Sequence, residues 1–335
     1  MRIYPLGMYS SYTNKNTPHK KTNIQTPSEY KPERALYYGE NISFGKTLNY
    51  KDFLISMKQV YKNKSIKNVI FSTISDPKNR IGSGFCADAY EIPQISDYII
   101  RIERKYFTPQ SFIQNPITEA YQNTLAPNFG QYIASNGHGF FINKKVQGES
   151  HSLPDWAFKI RQIQNGEDLT HHDAKIIFNK IKTISQYPLS SFEELAQNIN
   201  KLNQYTKSEI DIINPNNLIV DADNQKFGII DLWYKHKGYD SPETYNGMDS
   251  MINLMLDPFS HTLAANKLSN SDRENFTQAS YEIIQKTLIS GEKAGLKRTN
   301  ENALKIYIDF DEKRSINFAR KAYLEFLEMY KDLLL

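Results

Sequence analysis

One cysteine, Cys86, is all the thiol this chain carries. A single thiol forms no internal disulfide, so the fold must stand on burial and hydrogen bonding, and the chain suits a reducing compartment. Long apolar runs are missing too. No stretch approaches the roughly 20 residues that cross a bilayer. The opening MRIYPLGMYSSYTNKN lacks the apolar centre of a secretory signal. A cytoplasmic chain is expected, with export as an effector without a cleaved signal left open. Charge of one sign is scarce in the balance: 41 Lys and Arg against 37 Asp and Glu leave a net +4, spread along the chain. That excludes the dense basic footprint of a nucleic-acid binder. His171-His172 is the only adjacent histidine pair, and neighbours on a helix face different directions, so a His or Cys metal cluster is not expected. Apolar residues make up only 39%, and 22 Tyr and 18 Phe supply much of the burial. Abundant Lys, Asn and Ile with so little Cys points to an AT-rich bacterial source.

Residues 1–46 are rich in Asn, Lys, Thr, Ser, Tyr and Pro without apolar periodicity, the composition of a disordered arm. Tyr50–Tyr61 places Phe53, Leu54, Met57 and Val60 at helical spacing. Three strands are then expected, NVIFSTI, ADAYEI and DYIIRIE. Asn115-Pro116 opens a helix reaching to about Leu125. GQYIAS and HGFFINKKV flank an Asn-Gly turn, a strong hairpin signal. Beyond Gly148 the chain turns helical. Thr170–Ile184 carries a stripe of Ile177, Phe178, Ile181 and Ile184. Ser191–Gln204 opens on a Ser191/Glu194 capping box with a stripe through Phe192, Leu195, Ala196, Ile199 and Leu202. Further helices are expected over Met248–Leu256, Arg273–Ser290 and Ile316–Leu335.

Between these helices stands IDIINPNNLIVDADNQKFGIIDLW. The Asn-Pro-Asn-Asn knot is turn chemistry, and NLIV and FGIID read as two strands of a hairpin joined by DADNQK. An amide, Asn217, precedes the first strand, and a carboxylate, Asp231, closes the second, a place where a cation and phosphates can be held. Upstream, IGSGFCADAYEI carries Gly82 and Gly84, which let backbone approach a ligand closely or simply make a tight turn. In YIIRI, Arg101 interrupts an apolar strand, so it either snorkels to solvent or meets anions. Glu119 is the only carboxylate between Glu103 and Glu149 and lies on the helix expected there. It pairs with Arg101 or complements the helix dipole.

The order of these parts resembles the protein-kinase-like fold. The family's Gly-rich loop, G-x-G-x-x-G-x-V, is matched by Gly82, Gly84, Ala87 and Ala89; its strand lysine falls on Arg101 and its pairing glutamate on Glu119. NKKVQGE looks like the hinge between lobes. The catalytic loop H-R-D-x-x-x-x-N and the D-F-G signature fall on IDIINPNN and DLW. The resemblance spans roughly Val69–Trp233. It implies an α+β, two-lobed architecture: a small antiparallel lobe over 47–148 with one helix and the hinge at its end, and a mainly helical lobe over 149–335. It further implies ATP and Mg²⁺ as cofactors. Gly82 and Gly84 would cover the phosphates, and Arg101, oriented by Glu119, would contact them. Asn217 and Asp231 would hold the metal, and Asp211 would act as base toward a hydroxyl of a protein or small-molecule acceptor.

The departures have consequences. Strict spacing from Asn217 puts the catalytic Asp at Ile212, so Asp211 requires a loop one residue longer. Arg101 forks its hydrogen bonds where a lysine acts as a point charge. The His and Arg of the catalytic loop are absent, and Leu232-Trp233 replaces Phe-Gly. Ser241–Glu243 echoes the family's A-P-E but also reads as a plain Ser-Pro turn. Two other readings therefore stand beside a phosphotransferase: a pseudokinase that binds nucleotide or acts as a scaffold, and an unrelated α+β interaction protein.

Overall fold

The computed structural model describes residues 50–83, 87–103, 131–135, 140–153, 159, 162–163, 166–205, 208–210, 217–230, 232–234, 247–298 and 317–334. Those up to Lys145 form one compact unit and those from Val146 onward another. The division falls inside Asn143–Glu149. The architecture is α+β, with small antiparallel sheets and a largely helical remainder.

The first unit opens with helix α1, Tyr50–Val60, which buries Phe53 and Met57 as its spacing predicts. The next segment departs from expectation. NVIFSTI, rich in β-branched residues, is not a strand but lies within helix α2, Ile66–Ser75. The Ser65 hydroxyl caps it by accepting the Asn68 N–H at 3.2 Å. Residues 66, 69, 70, 73 and 74 fall on one helical face, with Val69 and Thr73 buried. β-Branched residues lose a few tenths of a kcal/mol each in a helix. Burial returns about 0.8 kcal/mol per CH₂, so the face decides.

Strands β1 (Arg80–Ser83), β2 (Ala87–Ile92), β3 (Ile95–Glu103), β4 (Gln131–Ser135) and β5 (Phe140–Lys144) follow. They form one antiparallel sheet in the order β1-β2-β3-β5-β4. Alternation puts Tyr98, Ile100 and Ile142 on the face covered by the helices, where the Phe53 and Tyr98 rings meet edge to face at 5.3 Å.

In the second unit, β6 (Glu149–Ser150) pairs with β8 (Leu218–Asp221), which pairs with β9 (Lys226–Ile229); β7 (Ser208–Ile210) pairs with β10 (Leu232–Tyr234). Helix α3, His171–Ser185, is capped by Thr170, whose hydroxyl accepts the Asp173 N–H at 3.1 Å. The His171-His172-Asp173 run is therefore a helix start. Helix α4, Leu189–Tyr205, begins two residues before the expected capping box. Ser191 is buried inside its first turn, its N–H bonded to the Pro188 carbonyl at 3.0 Å, so it is no cap. Helix α5, Met248–Leu256, is buried all round and ends at Asp257 in a left-handed conformation (φ 43°). Helix α6, Pro258–Ala265, was not expected; its proline takes the first turn, where a missing N–H costs nothing.

Helix α7, Asn270–Ala294, packs against α3, α4 and α5 and buries Phe276, Ile283 and Ile284. The helix expected over Ile316–Leu335 is interrupted at Tyr330, giving α8 (Asn317–Met329) and α9 (Lys331–Leu334). Tyr330 is buried with its hydroxyl 3.0 Å from His261 Nε2, and Arg298 donates to the Leu334 carbonyl at 2.7 Å, closing the last turn.

Candidate functional site

In the first unit, Gly82 lies opposite Ala89, Ala89 opposite Arg101, and Arg101 opposite Phe141. Cross-strand partners share a face, so Gly82, Ala89 and Arg101 form one row across three neighbouring strands. This face is the reverse of the helix-covered one. Arg101 sits two residues before the end of the central strand and is half-buried. Gly82 is exposed, and a Cβ built on it would meet only the Ala89 Cβ, at 3.9 Å. Space for a side chain is thus open there, beside an irregularity in the β1–β2 register between Arg80 and Gly82. Gly148 is the opposite case: its φ is 114°, and a Cβ would come within 2.3 Å of the Val220 carbonyl oxygen.

One row further along the Arg101 face, Ile99 pairs with Asn143. The Asn143 Oδ1 is buried and has no hydrogen-bond partner among the described residues. A buried acceptor left open costs on the order of 1–3 kcal/mol. Periodicity alone does not single this residue out; its one signal is an amide ending the apolar run FFI on a strand.

In the second unit the hairpin forms as expected, with Leu218 opposite Ile229 and Asp221 opposite Lys226. Asn217 is buried at the mouth of this hairpin, and its carbonyl accepts the Ile230 N–H at 3.1 Å. A second pairing, absent from the sequence reading, brackets the same region: Ile210 lies opposite Leu232 and Ser208 opposite Tyr234. Ile210 precedes Asp211 in the chain, and Asp231 lies between Ile230 and Leu232. Beneath, Leu218 and Ile229 are fully buried in the helical core. The His151 N–H donates to the Leu218 carbonyl at 2.8 Å, and its ring lies with Nε2 2.6 Å from the Met255 carbonyl. Burial holds the His151 pKa down to about 4, with the Lys180 charge adding to the effect. Lys180 in turn donates to the Ser150 carbonyl at 2.7 Å and to that of Ser152 at 2.5 Å, tying α3 to β6. Its own pKa is lowered by burial.

Of the residues singled out from sequence, Gly82 and Arg101 thus share one row, and Asn217 opens the hairpin. Gly84, Glu119, Asp211 and Asp231 lie outside the described residues, as do the 1–46 arm, the 115–125 helix, Cys86 and Ser241–Glu243. Among the described residues no group of three or more His, Cys, Asp or Glu is placed to hold a metal ion. No helix among them is long and apolar enough to cross a membrane.

No protein-family model and no curated protein matches the chain. Among solved structures, the Legionella pneumophila kinase Lpg2603 bound to IP6 is similar at 10% identity, over 76% of this chain and 79% of that one, with a TM-score of 0.28. A TM-score of that size assigns no fold.

Proposed function

We propose that the chain is a divergent protein-kinase-like phosphotransferase that uses ATP and Mg²⁺ to phosphorylate a hydroxyl on a protein or small molecule. The observation that carries this reading is the double pairing around the polar knot. Ile210 opposite Leu232, together with the Ile230 N–H bonded to Asn217, frames the stretch that holds Asp211 and Asp231 in sequence. The hairpin at Asn217 is the one the sequence calls for, and the β7–β10 pairing adds a second link across the same stretch. The Gly82–Ala89–Arg101 row supports the phosphate end of the same reading, since it sets an exposed glycine and a cation on one face of the sheet.

In this reading Mg-ATP supplies the phosphoryl group and the divalent charge that offsets what develops as it leaves. Arg101, held by Glu119, forks toward the phosphates. Asn217 and Asp231 hold the metal. Asp211 orients the acceptor hydroxyl and takes its proton. Positioning and fixed charge do the catalysis, with no covalent intermediate on the protein. Transfer of labelled γ-phosphate tests it: Asp211→Asn is expected to slow transfer by roughly 100-fold or more. Equal transfer in wild type and variant would remove Asp211 as base. Arg101 in place of lysine favours a second reading, a pseudokinase that binds nucleotide without transferring it. It predicts Mg-ATP binding with no transfer in the wild type.

A further inference from the structure

We propose that the elbow between α1 and α2 is a second binding site, one for a small soluble anion bearing more than one phosphate. A cavity of about 490 Å³ opens there, within the roughly 300–1,000 Å³ of small-molecule sites. Its floor is apolar and part of the core: Met57 and Val69 are each 1% exposed. Its wall carries Lys58, Lys62 and Lys64. The Lys64 ammonium is folded back over the ring of Tyr61, another wall residue, 6.0 Å from its centroid. Tyr61 in turn donates its hydroxyl to the Pro93 carbonyl, pinning the elbow to the β2–β3 turn. The concavity is built before any ligand arrives.

Along this stretch of chain the charge is of one sign. Between Asp52 and Asp76 the chain carries four lysines and no carboxylate. None of the three wall lysines has an ion-pair partner among the described residues, whereas Lys159, Lys175, Lys267 and Lys293 of the second unit each meet an Asp or Glu. Like charges gathered round one concavity repel, and a bound anion relieves them. Ammonium groups act as point charges without the planar fork of arginine, so they suit phosphates clustered on a compact molecule. A volume of this size suits a compact anion. The site lies on the helix-covered side of the sheet, the reverse of the Gly82–Arg101 row, and does not depend on the kinase-like reading.

Inorganic tripolyphosphate titrated calorimetrically into the full chain is the test. The wall lysines are exposed, so Lys58→Gln/Lys62→Gln/Lys64→Gln is expected to melt like wild type. It is expected to bind tripolyphosphate roughly tenfold or more weakly. Arg101→Ala and Asp231→Ala are expected to leave this affinity unchanged, and inorganic monophosphate to bind more weakly than tripolyphosphate. Unchanged affinity in the triple variant overturns the proposal, as does loss of binding in Asp231→Ala alone or no heat at millimolar tripolyphosphate. Co-sedimentation with phosphatidylinositol bisphosphate vesicles that the triple variant loses, without tripolyphosphate binding, would move the site to a membrane headgroup and overturn the soluble ligand.

Discussion

The two units support polar residues in different ways. In the first, Arg101 stands within a central strand, fixed on both sides by the ladders to Ala89 and Phe141, over a modest core built around Phe53, Tyr98 and Ile100. In the second, Asn217 stands at the end of a four-residue strand, and β7 and β10 have three residues each. The short β8 holds its place because Leu218 and its partner Ile229 on β9 are sunk into a large helical core. Geometry in the first unit is local to the sheet; in the second it depends on helices remote in sequence.

The largest expected effect tests that dependence directly. Gly148→Ala must either leave its left-handed φ or push into the Val220 carbonyl of β8. A loss of roughly 3 kcal/mol is expected, read from urea unfolding. A stable Gly148→Ala variant would show the β6–β8 crossing to be slack.

Acid comes next. His261 is fully buried between Phe276, Phe326 and Tyr330, with Nε2 2.9 Å from the Ser280 hydroxyl, and burial pushes its pKa down to about 3. His151 is pushed down to about 4. Both Nδ1 atoms lack partners among the described residues, so a proton there would find no acceptor. In the unfolded chain both titrate near the ordinary value of about 6.5. Below that pH the unfolded chain takes up the protons and the fold does not, so stability falls. The slope is about 1.4 kcal/mol per pH unit per histidine, and it slackens near pH 4 as His151 charges in place. Both histidines belong to the second unit, as do both tryptophans, Trp156 and Trp233, by chain position. The urea midpoint read by tryptophan fluorescence should drop between pH 7 and pH 5. An unchanged midpoint would mean these rings are not held neutral.

The smallest stability effect carries the sharpest contrast. Gly82→Ala is expected to change stability by no more than about 0.5 kcal/mol, because only the Ala89 Cβ waits for the new methyl. The Mg-ATP-induced rise in melting temperature should nevertheless shrink. If melting falls while the Mg-ATP shift is intact, Gly82 is a structural glycine like Gly148.

Much of the fold was legible because its signals are local. The stripe of α3, the apolar run of β3 and the hairpin at Asn217 each announce themselves within about a dozen residues. NVIFSTI was misread because its composition favours strand while its spacing favours helix. Ser65 was the cap signal that decides between them. Helix α6 hides behind Asp257-Pro258, which reads as a break and is in fact a first turn. Strands β7 and β10 were not legible at all. Three residues define no period, and their pairing joins segments more than twenty residues apart. The site divides likewise. Gly82, Arg101 and Asn217 were chosen by type and spacing, whereas the open Asn143 acceptor exists only once β5 is seated against β3.

The most direct measurement is the melting temperature with and without millimolar Mg-ATP, in wild type and in Asp231→Ala. A ligand at 100 times its dissociation constant stabilises by about 2.7 kcal/mol, and for a chain of this size that is a rise of several degrees. The expected result is such a rise in the wild type, lost in Asp231→Ala and lost when Mg²⁺ is withheld. No rise in the wild type, or the same rise in both proteins, would contradict a nucleotide site built around Asp231.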